Sequence, residues 1–440
     1  MSRSREIFAV VAVLMSLTAS CAPAERDGTN AAVPVTIPGV SGLALPMTGP
    51  GDVGMSEGAV ARIAPVMQAF VDDGRFSGVM TIISRGGEIV HWEAVGMRDI
   101  EAGDPLEPDD IFRIYSMTKP ITSTAIMMLV ENGDIALDDP VSKFIPAFAD
   151  LTVLEEDGSR TPAAQPMTIK DLLTHSGGLT YGFFGSTPVD QMYMAEKLFE
   201  SPSLEGFVGK VAGLPLLAHP GELWNYSVST DILGYIVQVV SGQPFEEFLE
   251  ASIFEPLGMD DTGFWVPAEK RDRFATHYRA SGDGLQVVDT PEGSAYTRMP
   301  PIASGGGGLV STASDYIRFA QMLLQEGQLD DVRILQPETV RAMRSNQLPE
   351  ELTPISLGTW IPPAYGFGLG FATLVDEDAT PDADHNGVFR WGGVANTFFW
   401  IDPEAELIAM VWTQMDPFLI HSIEKHFQTL VYEAMGESSQ

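Results

Sequence analysis

The stretch Phe112-Arg113-Ile114-Tyr115-Ser116-Met117-Thr118-Lys119-Pro120 decides how this chain is read. An apolar approach, Phe112 and Ile114, runs into a serine, and the apolar, helix-favouring segment Ile121 to Leu129 follows. That order predicts Ser116 at or near a helix N-terminus. Pro120 suits the first helical turn, where its missing N–H has no intrahelical acceptor to lose. At i,i+3 the Ser116 hydroxyl and the Lys119 amine share one helix face. The positive end of the helix dipole and partial burial both disfavour a charged amine there, so Lys119 can accept the Ser116 proton and make Ser116 a nucleophile.

Ser-x-x-Lys is a short pattern that chance supplies readily. A second match, Ser422 to Lys425, lies in the amphipathic stretch Phe418 to Met435 and reads as two solvent-facing helix positions. Gly54-Met55-Ser56-Glu57-Gly58 formally matches a nucleophile elbow, but Pro46 to Gly54 is turn-forming and feeds no strand into the serine. Ser56 reads instead as the cap of a helix over Ala59 to Val71.

Partners for Ser116 have to come from elsewhere in the chain. Tyr226, in His219-Pro220-Gly221-Glu222-Leu223-Trp224-Asn225-Tyr226-Ser227, follows a Pro-Gly turn and precedes a helix. A buried tyrosine can carry a proton to a leaving group, with a nearby lysine lowering its pKa, although spacing alone also fits a packing residue. Trp391-Gly392-Gly393-Val394 falls in a strand pattern whose glycines open the backbone to close approach, as a substrate-binding edge strand requires; a bulge would read the same way. The N–H of Ser116 and one from such a strand can together form an oxyanion hole.

Around these motifs the 440 residues are 45% apolar, enough for one large composite domain or two to three lobes. Sixty acidic against 25 basic side chains give a formal charge of −35, read as a solvated acidic surface. Nucleic acid and anionic lipid surfaces are poor partners for it. Arg3 and Arg5, the apolar run Ile7 to Leu17 and the small residues after it form a secretory signal too short to span a membrane, so the mature protein is expected to be exported to the cell envelope. The one cysteine, Cys21, ends Leu17-Thr18-Ala19-Ser20-Cys21, which resembles a bacterial lipoprotein processing site and would attach a lipidated N-terminus to the membrane. Thr18 departs from the usual leucine-like residue, and Ala22-Pro23-Ala24 offers an ordinary signal-peptidase site instead. A lone cysteine leaves no internal disulfide.

The expected organisation is a signal over 1–21, a flexible tether over 22–54, an α/β sheet domain from 55–150 and 300–440, and a mainly helical lobe over 151–299. Gly78 to Ser84 and Glu88 to Val95 form a hairpin; Tyr365 to Thr373, Val388 to Trp391, Asn396 to Ile401 and Glu406 to Trp412 read as strands. Helices are expected at Ile169 to His175, Val189 to Leu198, Leu204 to Leu217, Val228 to Ser241 and Ala313 to Gln325. This is an α+β pattern.

In order and rough spacing, Ser116-Met117-Thr118-Lys119, Tyr226-Ser227-Val228 and Trp391-Gly392-Gly393 resemble the serine β-lactamase and penicillin-binding-protein superfamily, most of all its family VIII carboxylesterases. Asp171 to Leu179, Glu255 to Met259, Gly305 to Asp315 and Tyr365 to Gly370 are similar too. The resemblance covers roughly Gly54 to Met435. It implies a β-lactamase/transpeptidase-like fold, an antiparallel sheet flanked by helices plus a helical lobe. It further implies Ser116 as nucleophile, Lys119 as its proton acceptor, Tyr226 as acid and base for the leaving group, the Ser116 and Val394 N–H groups as oxyanion hole, and Trp391, Gly392 and Gly393 as substrate-binding residues. Neither metal nor cofactor is implied.

Two departures bear on substrate. β-Lactamase-like members end the tyrosine motif in Asn, which binds a substrate amide; Val228 has no such group. They also carry Lys-Thr-Gly where this chain has Trp391-Gly392-Gly393, and tryptophan cannot attract a carboxylate. Arg390 is adjacent, but alternation points it to the other face. Both changes favour neutral small-molecule esters with an apolar acyl or alcohol group over penicillins or D-Ala-D-Ala peptides. The rivals are a β-lactamase or D-amino-acid peptidase and, in another class, a non-catalytic envelope binding protein. Asp382 to Gly387 copies the opening of an EF-hand loop without its closing Glu and reads as a hairpin turn. His175 reads as a structural hydrogen-bonder, and Gly305 to Gly308 lacks the Lys-Ser/Thr of a phosphate loop.

Overall fold

The computed structural model describes residues 45–282, 284–379 and 387–436. The signal, Cys21, most of the tether and nearly all of the Asp382 to Gly387 segment lie outside them. The tether ends earlier than the composition predicts. Leu45 is buried, the Ile89 N–H donates to Pro46 O at 2.8 Å, and Pro50–Val53 forms a single 3-10 turn. Apolar contact and pairing along a strand edge fix what the Pro/Gly content made look loose.

In chain order the principal elements are α1 (Glu57–Val60), α2 (Ile63–Asp72), β1 (Gly78–Arg85), β2 (Glu88–Asp99), β3 (Asp104–Pro105), β4 (Ile111–Arg113) and α3 (Thr118–Glu131). Then come α4 (Ile169–Leu173), α5 (Pro188–Ala195), α6 (Leu204–Ala212), α7 (Ser229–Ser241), β5 (Val310–Thr312) and α8 (Ala313–Leu324). The chain closes with β6 (Ile355–Leu357), β7 (Ile361–Phe367), β8 (Ala372–Leu374), β9 (Phe389–Gly393), β10 (Thr397–Asp402), β11 (Leu407–Trp412) and α9 (Ile423–Ala434). A nine-stranded sheet runs β6-β7-β8-β9-β10-β11-β1-β2-β3, and every neighbouring pair is antiparallel.

Ser56 caps α1, accepting from Ala59 N. The helix expected over Ala59 to Val71 breaks at Ala61 and Arg62, because Pro65 has no N–H for the Ala61 carbonyl and its ring crowds that turn. The single strand expected over Tyr365 to Thr373 is likewise two. The chain turns at Gly368 to Phe371, where Gly370 takes φ +105° and a Cβ on Gly368 would sit 1.9 Å from Met343 O.

Strand alternation sorts the sheet into two layers. On one face Arg390 meets Glu424 of α9, and the Trp400 ring packs on Phe427 at 5.6 Å. On the other face Phe399 and Trp412 pack on Tyr316 of α8, and Trp391 meets Tyr226. On this side α3 packs against α7. The 151–299 segment contains α4 to α7 and two short hairpins, Thr152–Leu154 with Arg160–Pro162 and His277–Ser281 with Gly284–Asp289.

Candidate active site

Ser116 is delivered by β4, which pairs with β5 in the register Arg113↔Val310. The chain then tightens into a 3-10 turn, Tyr115–Met117, that runs directly into α3. Tyr115 takes φ +44°, a left-handed conformation that costs a non-glycine residue on the order of 1–3 kcal/mol. Neighbours hold it. Its hydroxyl meets His277 Nδ1 at 3.2 Å, the Tyr316 hydroxyl donates to Met117 O at 3.0 Å, and Leu309 N donates to Thr118 Oγ1 at 3.1 Å.

Lys119 sits one turn on and is almost wholly buried. Its ammonium nitrogen reaches Ser116 Oγ at 3.3 Å, Tyr181 Oη at 2.8 Å and Gly306 O at 2.6 Å, which uses all three of its donor positions. Burial pulls its pKa down to about 7, against a smaller opposing pull from Asp231. At neutral pH a large fraction of Lys119 is therefore unprotonated and able to take a proton from Ser116.

Tyr226 lies over this amine, its ring centroid 4.5 Å from Lys119 Nζ. Its hydroxyl is buried and no partner meets hydrogen-bond geometry. Burial pushes its pKa up, only partly offset by the side chains of Ser116 and Trp391. The expected lowering by lysine is thus reversed: the amine faces the ring, desolvation dominates and Tyr226 is a phenol.

Trp391 is completely buried, packed against Tyr226, Trp360 and Phe367 at 4.9 to 5.4 Å, and does not line the cavity over Ser116. It backs Tyr226. β9 is not an edge strand in the sheet as a whole, yet β8 pairs only with Phe389 and Arg390, so Trp391 to Gly393 run past it on that side. There the glycines matter: a Cβ on Gly393 would lie 2.3 Å from Ile114 O, and one on Gly392 2.6 Å from the Phe398 ring. This close approach brings the end of β9 against the Ser116 turn and puts Val394 in the wall of the same cavity as Ser116.

That cavity measures about 450 Å³. Phe183, Phe184, Phe264, Tyr296 and Ile302 supply apolar walls, and among the described residues its lining holds no Lys, Arg or His. Phe183 and Phe184 are more than half exposed at its mouth and stack on each other at 4.5 Å and on Tyr181 at 5.0 and 5.8 Å.

Sequence reasoning missed Tyr181, Asp231 and the Gly306 carbonyl. Asp231 is fully buried, and its Oδ1 accepts from Ser304 Oγ at 2.5 Å and Gly306 N at 3.1 Å, which fixes the loop whose carbonyl holds Lys119. Burial raises its pKa, while Ser304 and Lys119 pull it back. The available signal was position: Tyr181 stands just after the Gly177-Gly178-Leu179 turn and Asp231 five residues past Tyr226. His175 is buried, takes φ +57° and meets Ser227 Oγ at 3.2 Å, with no contact to Ser116. Ser422 is exposed at the N-cap of α9, outside the helix, and Lys425 is exposed on it.

A serine beside a buried, partly neutral lysine, under a phenol and facing an apolar cavity, is the apparatus of serine acyl-transfer enzymes. Residues 63–425 match the Beta-lactamase family model. The chain belongs to that family and is a serine hydrolase of its esterase-containing branch. It is 37% identical over 358 residues to Protein Rv1367c of Mycobacterium tuberculosis, covering 79% of this chain and 88% of that one. To Esterase EstB of Burkholderia gladioli it is 33% identical over 375 residues, covering 80% and 90%. Among solved structures it is similar to EstCE1, described as a hydrolase with promiscuous acyltransferase activity, with TM-score 0.74, 28% identity, and coverage of 85% and 99%.

Proposed function

We propose that the protein cleaves neutral carboxylic esters with an apolar acyl or alcohol part, through an acyl-enzyme on Ser116. The observation that carries this reading is the 3.3 Å contact between Ser116 Oγ and a buried Lys119 whose pKa is brought to about 7, at the floor of an apolar cavity without a cation in its lining.

In the first half-reaction Ser116 Oγ attacks the ester carbonyl and its proton passes to Lys119. The oxyanion takes hydrogen bonds from the Ser116 and Val394 N–H groups. Collapse expels the alkoxide, which is protonated by Tyr226, and Lys119 returns its proton to Tyr226. Water then attacks the acyl carbon, gives a proton to the same relay and releases the acid, restoring Ser116. Val228, with no exposed surface, and the buried Trp391 give a β-lactam amide and carboxylate nothing to bind. A second reading, acyl transfer to an alcohol, is favoured by the phenylalanine mouth, which suits an apolar acceptor better than water, and by the likeness to EstCE1. Export, with lipid on Cys21, is proposed from the leader pattern alone.

The test compares p-nitrophenyl butyrate with nitrocefin, with and without an added alcohol, and maps the adduct left by a serine-directed phosphonate. Much faster butyrate cleavage and an adduct on Ser116 are expected. Faster nitrocefin cleavage would turn the reading to a β-lactamase, and absence of any adduct to a binding protein.

A further inference from the structure

A second cavity, of about 460 Å³, lies on the other side of Phe264, whose side chain lines both. Its inner walls are apolar: Ile111 and Val310 from the β4–β5 pair, with Phe254, Trp265 and Val266. Its rim is acidic, formed by Glu246, Glu247, Glu250, Glu255 and Asp260. Among the described residues, the cation in the lining is Lys270, which is already engaged by Asp261 at 2.8 Å and by Asp260 O at 2.6 Å. Glu250 shows the surplus of negative charge: burial raises its pKa, and Glu255 and Asp260 raise it further, with only Lys270 opposing.

Two features shape this cavity for a ligand. Residues Glu250–Phe254 wind as a π-helix, an uncommon widening found most often at functional sites, and Glu250, Ala251 and Phe254 of that turn all face the space. Trp265 is 39% exposed although large and apolar, so its ring is available where a cation would be drawn to a π-face. An apolar body and one positive charge would each find a matching surface. An anion would meet net repulsion, and an uncharged molecule would leave the carboxylates unanswered.

We propose that this cavity is a binding site for an amphiphilic organic cation, an aromatic or short-alkyl body bearing one ammonium group, and that its occupancy changes turnover at Ser116. The coupling runs through shared walls. Gly263 and Val310 exchange backbone hydrogen bonds of 2.8 and 3.1 Å, and Val310 pairs with Arg113 on the strand that delivers Ser116. Phe264 backs Gly308 so closely that a Cβ there would lie 2.9 Å from its ring, and two residues away Gly306 O holds Lys119. A ligand that moves Phe264 therefore moves the loop that seats the lysine.

Isothermal titration of the full protein with 4-phenylbutyltrimethylammonium tests this, with 4-phenylbutanol and 4-phenylbutyrate as neutral and anionic controls. Saturable one-to-one binding is expected, at least tenfold tighter than the alcohol, with none for the anion. It should persist in Ser116→Ala and after phosphonate labelling. The Glu250→Gln/Glu255→Gln pair and, separately, Trp265→Ala should weaken it at least tenfold with thermal stability unchanged, and should abolish the effect of the cation on kcat. No binding, displacement by the phosphonate, or full binding in both variants would each overturn the site. Binding that leaves kcat untouched would overturn the coupling.

Discussion

The Lys119 amine lies under the face of the Tyr226 ring, 4.5 Å from its centroid, and its hydrogen-bond contacts are with Ser116, Tyr181 and Gly306, not with the Tyr226 hydroxyl. The two groups therefore act in turn. In the proposed mechanism Lys119 is the acceptor for the attack, and Tyr226, held as a phenol by burial, is the donor for the departing oxygen.

Ser116→Ala should lower kcat for p-nitrophenyl butyrate by at least about 10³-fold, since loss of a nucleophile removes the covalent route altogether. Ser56→Ala should leave kcat intact and cost about 1 kcal/mol of stability, as loss of a helix cap does. Steady-state rates and chemical denaturation of both variants separate the two serines.

The pH profile of kcat/KM should rise with an apparent pKa near 7, because only neutral Lys119 accepts the Ser116 proton and the charged form predominates below that value. Asp231 favours the ammonium form, so Asp231→Asn should move the rising limb to lower pH. An upward shift would contradict this electrostatic assignment.

Gly393→Ala should lower kcat by about 10²-fold or more while the protein still folds. The added methyl would sit 2.3 Å from Ile114 O, so β9 must draw back from the Ser116 turn and take the Val394 N–H with it. Thermal melting alongside kinetics distinguishes this from simple unfolding.

Phe184→Ala should leave p-nitrophenyl acetate turnover nearly unchanged and reduce kcat/KM for the octanoate about tenfold, the apolar contact of one exposed ring being worth on the order of 1.5 kcal/mol. Equal losses on both esters would mean that the ring supports Tyr181 and Tyr226 and does not meet substrate.

Glu424→Ala should destabilise the protein by about 3–5 kcal/mol, since it removes the carboxylate facing Arg390 where both side chains are at most 5% exposed. Guanidinium denaturation measures it, and Glu424→Leu with Arg390→Met should recover much of the loss.

What could be read from sequence is what local patterns encode. Ser116 at a helix start, the β1–β2 hairpin and the strands ending in Trp412 each rest on a few adjacent side chains, and they emerge within a residue or two of expectation except that β2 runs on from Val95 to Asp99. The errors arise where distant segments meet. Nothing local separates a tryptophan that lines a pocket from Trp391, which is sealed behind Tyr226 by Trp360 and Phe367. Tyr181 and Asp231 belong to no periodic pattern, and only the fold brings them to Lys119 and Gly306. The direction of the Tyr226 pKa shift was equally hidden, because it depends on how deeply the hydroxyl is buried.

Ser56 N donates to Ala434 O at 2.7 Å and Arg62 pairs with Glu433, so the segment that forms α1 and α2 is fastened to α9. That helix covers the layer of the sheet turned away from Tyr226. A cross-link or tag set on the exposed positions of α9, such as Lys425 and His426, would consequently hold the side opposite the cleft and leave the phenylalanine mouth free.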